Sequence, residues 1–412
     1  MSPDSVSSTP VSPESFRAQL DALDVGDDQY ATRVVDLVLA LGRHEGVSDI
    51  HLLPTSRALE VRWRLDGVLA PLAPLPREMA ANVIARLKVL AGLLTYRTDV
   101  PQEGRLRAAT EVTDGESTAP GADMRLATCP TVHGEKAVVR LFPQVARHAQ
   151  LDGLGYPTDI AAWLARTIRS ASGAVLVCGP AGSGKTTTLY AALREIVDGD
   201  PPLRSVVSLE DPVEIPIDGV AQTQTGGTGD VDMASGLKYL LRQDPEVIMV
   251  GEIRNSETAR VAFQAALTGH LVLSSFHAGS AAEAVARLGD MGVDGYLLRS
   301  GLSGIICQRL LRRLCRCAQP LAGGDDLLGL DVSTAHRPVG CERCRGTGYH
   351  GRMLLAELME ADTAILAEHD APLVERLATE RGMTSRWQRA RQAVEAGLTS
   401  PAEVRRMLGF GG

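Results

Sequence analysis

No stretch of this 412-residue chain approaches the roughly 18 consecutive apolar residues that a membrane-crossing helix requires. Nor does its amino terminus carry a cationic, apolar signal segment, so the expectation is a cytosolic protein that meets any membrane through a partner. An excess of positive charge is also missing. A formal net charge of −8 argues against a general coat for nucleic acid or lipid, while leaving room for a local basic patch. There is no internal repeat. Cysteine is sparse, and seven in a cytosolic chain read as thiols or metal ligands rather than disulfides. Cys129, Cys178 and Cys307 lie in apolar surroundings and read as small core residues. What is present is ordinary: 44% hydrophobic and 22% charged residues, over a length that implies two or three domains.

Composition and periodicity divide the chain. Residues 1–28, rich in Ser, Pro and acid, read as a disordered leader with a short helix near Phe16–Leu23. An α+β domain follows over 29–143, with a helix at Ala31–Leu41, strands at Ser48–Leu52 and Leu59–Leu65, and a helix at Met79–Ala91. Asp66-Gly67 predicts a type I′ hairpin turn, and Thr113–Ala122 a long polar loop. A linker spans 144–152. Over 153–306, the apolar runs Ala174–Cys178, Ser205–Leu209, Val247–Val250 and Leu271–Ser275 alternate with helical sequence, the pattern of an α/β parallel sheet. A cysteine-bearing segment covers 307–352, and a helical region 353–412.

The chemistry is written at the first of those strands. It runs into Gly179-Pro180-Ala181-Gly182-Ser183-Gly184-Lys185-Thr186-Thr187, the strand–GxxxxGK[ST]–helix pattern of a phosphate-binding loop. Glycines let successive backbone N–H groups curl around an anion, and the following helix adds its N-terminal dipole. Lys185 reaches the outer phosphates, and the Thr186 hydroxyl suits Mg²⁺. Ligands of open parallel sheets sit at the carboxyl ends of strands. Glu210, Asp211 and Glu214 after one strand, and Glu252 after Val247–Val250, should therefore face the loop, with Mg²⁺ relieving their repulsion. His270 and His277 bracket Leu271–Ser275, placed to sense a phosphate or pass a proton. Arg97, Arg105, Arg107, Arg125 and Arg140 of the first domain are candidates to neutralise a departing phosphoryl group, and periodicity does not choose among them. Cys341 and Cys344 have zinc-knuckle spacing. Cys315 and Cys317 form a tighter C-x-C pair, and together the four read as a structural zinc site with no open position.

These segments, with Ser48-Asp49-Ile50-His51, Pro101–Arg105, Leu240–Arg254, Leu267–His277, Gln308-Arg309-Leu310 and Thr347–Arg352, resemble the ATPases of type II secretion and type IV pilus assembly. The resemblance begins near residue 30. It implies a RecA-like ATPase core, a PAS-like N-terminal domain and a homo-hexamer. ATP and Mg²⁺ are its implied cofactors. It makes Glu210 the residue that polarises water, Glu252 the Walker B acid, and His270 with His277 the "His box". It selects Arg125 and Arg140 as the arginines that swing onto the phosphates. It implies a cytoplasmic motor, peripheral to the inner membrane, that drives a membrane platform protein, with no direct nucleic-acid partner. A membrane adaptor would be a further partner. The four cysteines favour assembly over retraction. A retraction or type IV secretion motor, a low-turnover regulatory ring, and a zinc-ribbon nucleic-acid binder are the alternatives. Four departures stand out: an N-terminal docking domain missing or reduced to a short segment, Asn255 in place of Asp, a glycine-rich Gly226–Asp230, and the C-x-C pair.

Overall fold

The computed structural model of the protein describes residues 13–106, 124–141, 150–199, 204–226, 232–321 and 327–410. The chain forms two compact units, Met1–Arg147 and His148–Gly412. The expected polar loop at 113–122 lies outside the described residues, as does most of the linker.

In the N-terminal unit, α1 (Pro13–Asp21), α2 (Tyr30–His44) and α3 (Ala80–Leu90) accompany six strands. These are β1 (Asp49–Pro54), β2 (Ala58–Leu65), β3 (Val68–Pro76), β4 (Gln102–Leu106), β5 (Met124–Thr131) and β6 (Gly134–Leu141). They form one antiparallel sheet in the order β3-β2-β1-β6-β5-β4. Period-two alternation decides its faces. Ile50, Leu52, Val61, Trp63, Leu126 and Val139 are buried in the same core as Val34, Val38 and Leu87 from the helices. Phe16 and Leu20 join that core, so the expected disorder does not extend through residues 13–21. An apolar pair spaced four apart is enough to dock a short helix. Asp66 and Gly67 both have positive φ, as the predicted turn requires. Cys129, expected in the core, is exposed, because it shares the outer face of β5 with Arg125.

That outer face carries a row of side chains opposed rung by rung across five strands: Arg64, Asp49, Arg140, Arg125 and Arg105. Asp49 accepts a hydrogen bond from Arg140 Nε at 3.1 Å and lies 3.6 Å from Arg64 Nε. Arg125 pairs with Glu103. On the core side Lys88 is fully buried, donating to Glu135 at 2.9 and 3.1 Å and to the Arg97 carbonyl at 2.7 Å.

The second unit is built on a seven-stranded sheet. Its strands are β7 (Gly173–Cys178), β8 (Val206–Glu210), β9 (Ala221–Gln224), β10 (Val247–Val250), β11 (Leu271–Phe276), β12 (Leu302–Leu314) and β15 (Tyr349–Glu360). They lie in the order β15-β12-β7-β11-β10-β8-β9, and only the β12–β15 pair is antiparallel. Two short strands, β13 (Gln319–Pro320) and β14 (His336–Arg337), form a separate ladder. The helices are α4 (Thr158–Thr167), α5 (Lys185–Val197), α6 (Met233–Leu240), α7 (Ser256–Leu267), α8 (Ala281–Asp290), α9 (Gly295–Gly301), α10 (Ala371–Glu380), α11 (Arg386–Glu395) and α12 (Pro401–Leu408). The cysteine segment is not separate from the sheet. β12 runs through the boundary expected at 306, and β15 occupies the start of the region expected to be helical. β15 reads as helical in the sequence because Leu355, Ala356 and Glu357 are buried in succession, leaving no clean alternation.

Deleting one partner of the Lys88–Glu135 pair leaves a buried charge uncompensated. Lys88→Met should therefore cost about 3–5 kcal/mol of stability, read as a shift of the urea midpoint of the N-terminal transition.

Candidate functional site

Parallel pairing fixes the site. Cys178 is in register with Phe276, and Val250 with Ser274, so the residues after β7, β10 and β11 leave the sheet along one edge. The phosphate-loop candidate leaves β7 there. Gly182 and Gly184 both have positive φ, and a Cβ on Gly182 would meet nothing within 4 Å. Gly179 is different: a Cβ there would lie 2.5 Å from the Gln308 carbonyl oxygen and 2.4 Å from Ser183 Oγ. One glycine serves an open concavity and the other a close approach.

Lys185 begins α5 and folds back over the loop, its Nζ donating to the carbonyls of Gly179 at 2.9 Å and Pro180 at 3.0 Å. Burial lowers its pKa, with Glu252 acting against that. Thr186 is exposed on the first turn and Thr187 half-buried. Pro180 and Ala181 are exposed at the crest.

Glu252 is held from both sides. Gly251 N–H donates to Leu209 O at 2.8 Å, and Ile253 N–H to Ser275 O at 3.1 Å. Ser275 Oγ donates to Gly251 O at 2.6 Å. A Cβ at 251 would lie 3.3 Å from the Glu210 Cα, a close approach that suits glycine. The Glu252 carboxylate accepts from Arg254 Nε at 2.8 Å and lies 3.5 Å from His277 Nε2. Burial raises its pKa, but Arg254, His277 and Lys185 outweigh that and leave it lowered. His277 is held below its ordinary value by burial and by Lys185, so it is neutral near pH 7. Arg254 also reaches Asp211, at 3.6 Å. Asn255 caps α7 by accepting from Thr258 N–H at 2.9 Å, work that asparagine does as well as aspartate.

Glu210 ends β8 and is 3% exposed. Its carboxylate accepts from Tyr190 Oη, from Ser208 Oγ at 2.7 Å and from Gln222 Nε2 at 3.0 Å. The Tyr190 hydroxyl in turn accepts from Glu214 N–H at 3.1 Å. Three donors thus occupy a carboxylate that has about four acceptor positions. His270 stands apart. It precedes β11, its Nδ1 lies 2.9 Å from Ala265 O, and its carbonyl accepts from Gly173 N–H. It therefore occupies the amino edge of the sheet, about 20 Å from the phosphate loop by the rise of a six-residue strand. Two histidines bracketing one strand cannot both face the same edge, so only His277 joins the site. Arg125 and Arg140 are neighbours in the arginine row of the N-terminal unit. The described residues that sequence reasoning passed over are Tyr156, Tyr190, Ser208, Gln222 and Gln308. Gln308 lay in a quoted motif but had no role assigned.

The four cysteines converge. Cys315–Cys341, Cys317–Cys344 and Cys341–Cys344 each have Sγ atoms 3.7 Å apart, and all four lie within 4.8 Å of one another. A tetrahedral ion with 2.3 Å bonds needs about 3.8 Å between sulfurs, so the set fits zinc despite the C-x-C spacing. Burial pushes the Cys344 thiol up, but N–H donors from Cys341 and Gly348 pull it down to about 6.

No helix among the described residues is long and apolar enough to cross a membrane. The chain matches the family described as "Type II/IV secretion system protein" over residues 24–406. It is 39% identical to the type II secretion system protein E of Pseudomonas aeruginosa, covering 94% of this chain and 77% of that one. It is 36% identical to the type IV pilus assembly ATPase PilB of Thermus thermophilus, over 92% of this chain and 43% of the other. The Legionella pneumophila ATPase DotB has the same fold, with a TM-score of 0.67, 20% identity, and coverage of 91% and 95%. A match over nearly the whole length, joined to a phosphate-loop candidate and an acid on the same sheet edge, makes this chain a member of the type II/IV secretion system protein family.

Proposed function

We propose that the protein is an ATPase that powers assembly of a type II secretion pseudopilus or a type IV pilus, acting as a ring of six through an inner-membrane platform protein at the cytoplasmic face. On this reading the second unit is a RecA-like core and the first a PAS-like domain. The observation that carries it is the meeting of the Gly179–Thr187 loop with Glu252 and His277 on one edge of a parallel sheet, in a chain of this family.

Backbone N–H groups from Gly182 to Thr187 and the Lys185 ammonium bind the phosphates, replacing the carbonyls that Lys185 now caps. Thr186 and Glu252 are the oxygen donors for Mg²⁺, which neutralises phosphate charge when bound. Glu210 orients the attacking water, with Asp211 and Glu214 beside it. Glu252 and neutral His277 hold the remaining polar contacts. Arg125 and Arg140 compensate charge developing on the departing phosphoryl group. The four-cysteine cluster holds structural zinc and takes no chemical part.

Steady-state ATP hydrolysis by the purified ring tests the reading. Lys185→Ala should reduce turnover by about 100-fold or more, because positive charge on the phosphates is lost. Glu252→Gln should still bind the nucleotide and release it only slowly, measured by retention of labelled nucleotide through gel filtration. Elemental analysis should find about one zinc per chain, and Cys341→Ser with Cys344→Ser should abolish it and lower the melting temperature. Wild-type turnover surviving Lys185→Ala would overturn the assignment.

A further inference from the structure

Beneath the phosphate loop lies a polar side chain that the chemistry above does not use. Gln308 on β12 is 1% exposed, and both ends of its amide are hydrogen-bonded. Its Nε2 donates to Ser183 O at 2.8 Å. Its Oε1 accepts from Tyr156 Oη at 2.5 Å and from Thr188 Oγ1 at 3.2 Å, and the two hydroxyls are themselves 2.9 Å apart. The Ser183 carbonyl can only accept, which fixes the NH₂ end of the amide toward the loop and leaves the oxygen to the two hydroxyls. Two glycines make room for this contact. A Cβ at Gly184 would lie 3.1 Å from Gln308 Nε2, and one at Gly179 would lie 2.5 Å from the Gln308 carbonyl.

The consequence follows from peptide planarity. In a trans peptide the C=O and N–H point in opposite directions. Holding the Ser183 carbonyl down on β12 therefore turns the Gly184 N–H away from the sheet, toward the side on which the loop is open. Tyr156 sits just after the segment that joins the two units, and its hydroxyl anchors the oxygen end of the amide. Burial raises its pKa, with Thr188 acting the other way, so the phenol remains a donor.

We propose that Gln308 is a positioning residue for the phosphate loop, aiming the Gly184 N–H at a bound phosphate, and that Tyr156 acts through Gln308 by locking its amide. The inference deepens the nucleotide-binding reading and rests on it. A donor aimed at a non-reacting phosphate oxygen stabilises ground and transition states alike, so its loss appears in binding rather than in the chemical step.

The test uses the full chain and a fluorescent ATP analogue with Mg²⁺, alongside KM and kcat for ATP. Tyr156→Phe keeps the ring and removes one hydroxyl, and should weaken binding about 3–10-fold with kcat little changed. Gln308→Ala should weaken it about 10-fold or more, and on that background Tyr156→Phe should have no further effect. Gln308→Met, close in volume but without the donor, should reproduce the loss, which guards against a cavity artefact. Multiplying effects in the double variant would overturn the role of Tyr156. Unchanged affinity in all three single variants, with melting temperatures near wild type, would overturn the positioning role of Gln308. A wild-type chain that binds no nucleotide at all would overturn the function proposed above, and this inference with it.

Discussion

The parallel register of β7, β11 and β10 is the constraint on which the rest depends. Three strands running the same way must end on the same edge, and whatever follows them is gathered there. That is how Gly179, Glu252 and His277, separated by nearly a hundred residues of sequence, come to share one electrostatic environment. The edge is then stiffened from beneath. Ser274 Oγ donates to Val250 O at 2.8 Å and Ser275 Oγ to Gly251 O, so β11 carries the end of β10 as well as its own loop.

The same logic accounts for the polar groups left inside. A buried donor or acceptor without a partner costs about 1–3 kcal/mol, and most near the site are answered by another, Ser183 Oγ being an exception. Gly279 O receives Arg309 Nη2 at 2.8 Å and Arg386 Nη1, and Glu357 accepts the N–H groups of Ala281 and Arg386 at 2.9 and 2.8 Å. The loop that carries His277 is thus fastened to β12 and β15 and to the first turn of α11. The first turn of α11 therefore helps to place the loop that carries His277.

Much of this was legible because it is local. The phosphate loop, its helix, the apolar strand before Glu252 and the Asp66-Gly67 turn each declare themselves within a dozen residues. Gln308, Tyr156 and Tyr190 do not, since their significance lies in partners 125, 152 and 20 residues away. His270 shows the opposite error. Its spacing from His277 suggests a pair, but a strand between two residues puts them on opposite edges. Cys129 was misjudged by one position of a period-two pattern. The four cysteines were readable as a set but not as a geometry, because the C-x-C pair reaches the common centre only after β12 has crossed the sheet.

Charge at the edge repays a closer argument. Carboxylates at 210, 211 and 214 should repel one another unless cations or donors are nearby, and Mg²⁺ is the expected relief. The fold answers that repulsion with its own groups. Glu210 is neutralised in effect by three hydrogen-bond donors, and Arg254 spans Glu252 and Asp211. The acids can therefore fold before any metal arrives. The two solutions differ in what it takes to undo them. Glu210 is buried, and freeing it breaks bonds that water cannot easily replace. The Arg254 side chain is 63% exposed, where an ion pair contributes about 1 kcal/mol or less. The exposed Arg254 pair therefore yields more readily than the buried bonds that Tyr190, Ser208 and Gln222 make to Glu210. Tyr190 lies on the helix that opens at Lys185, so its hydrogen bond to Glu210 ties the end of β8 to α5.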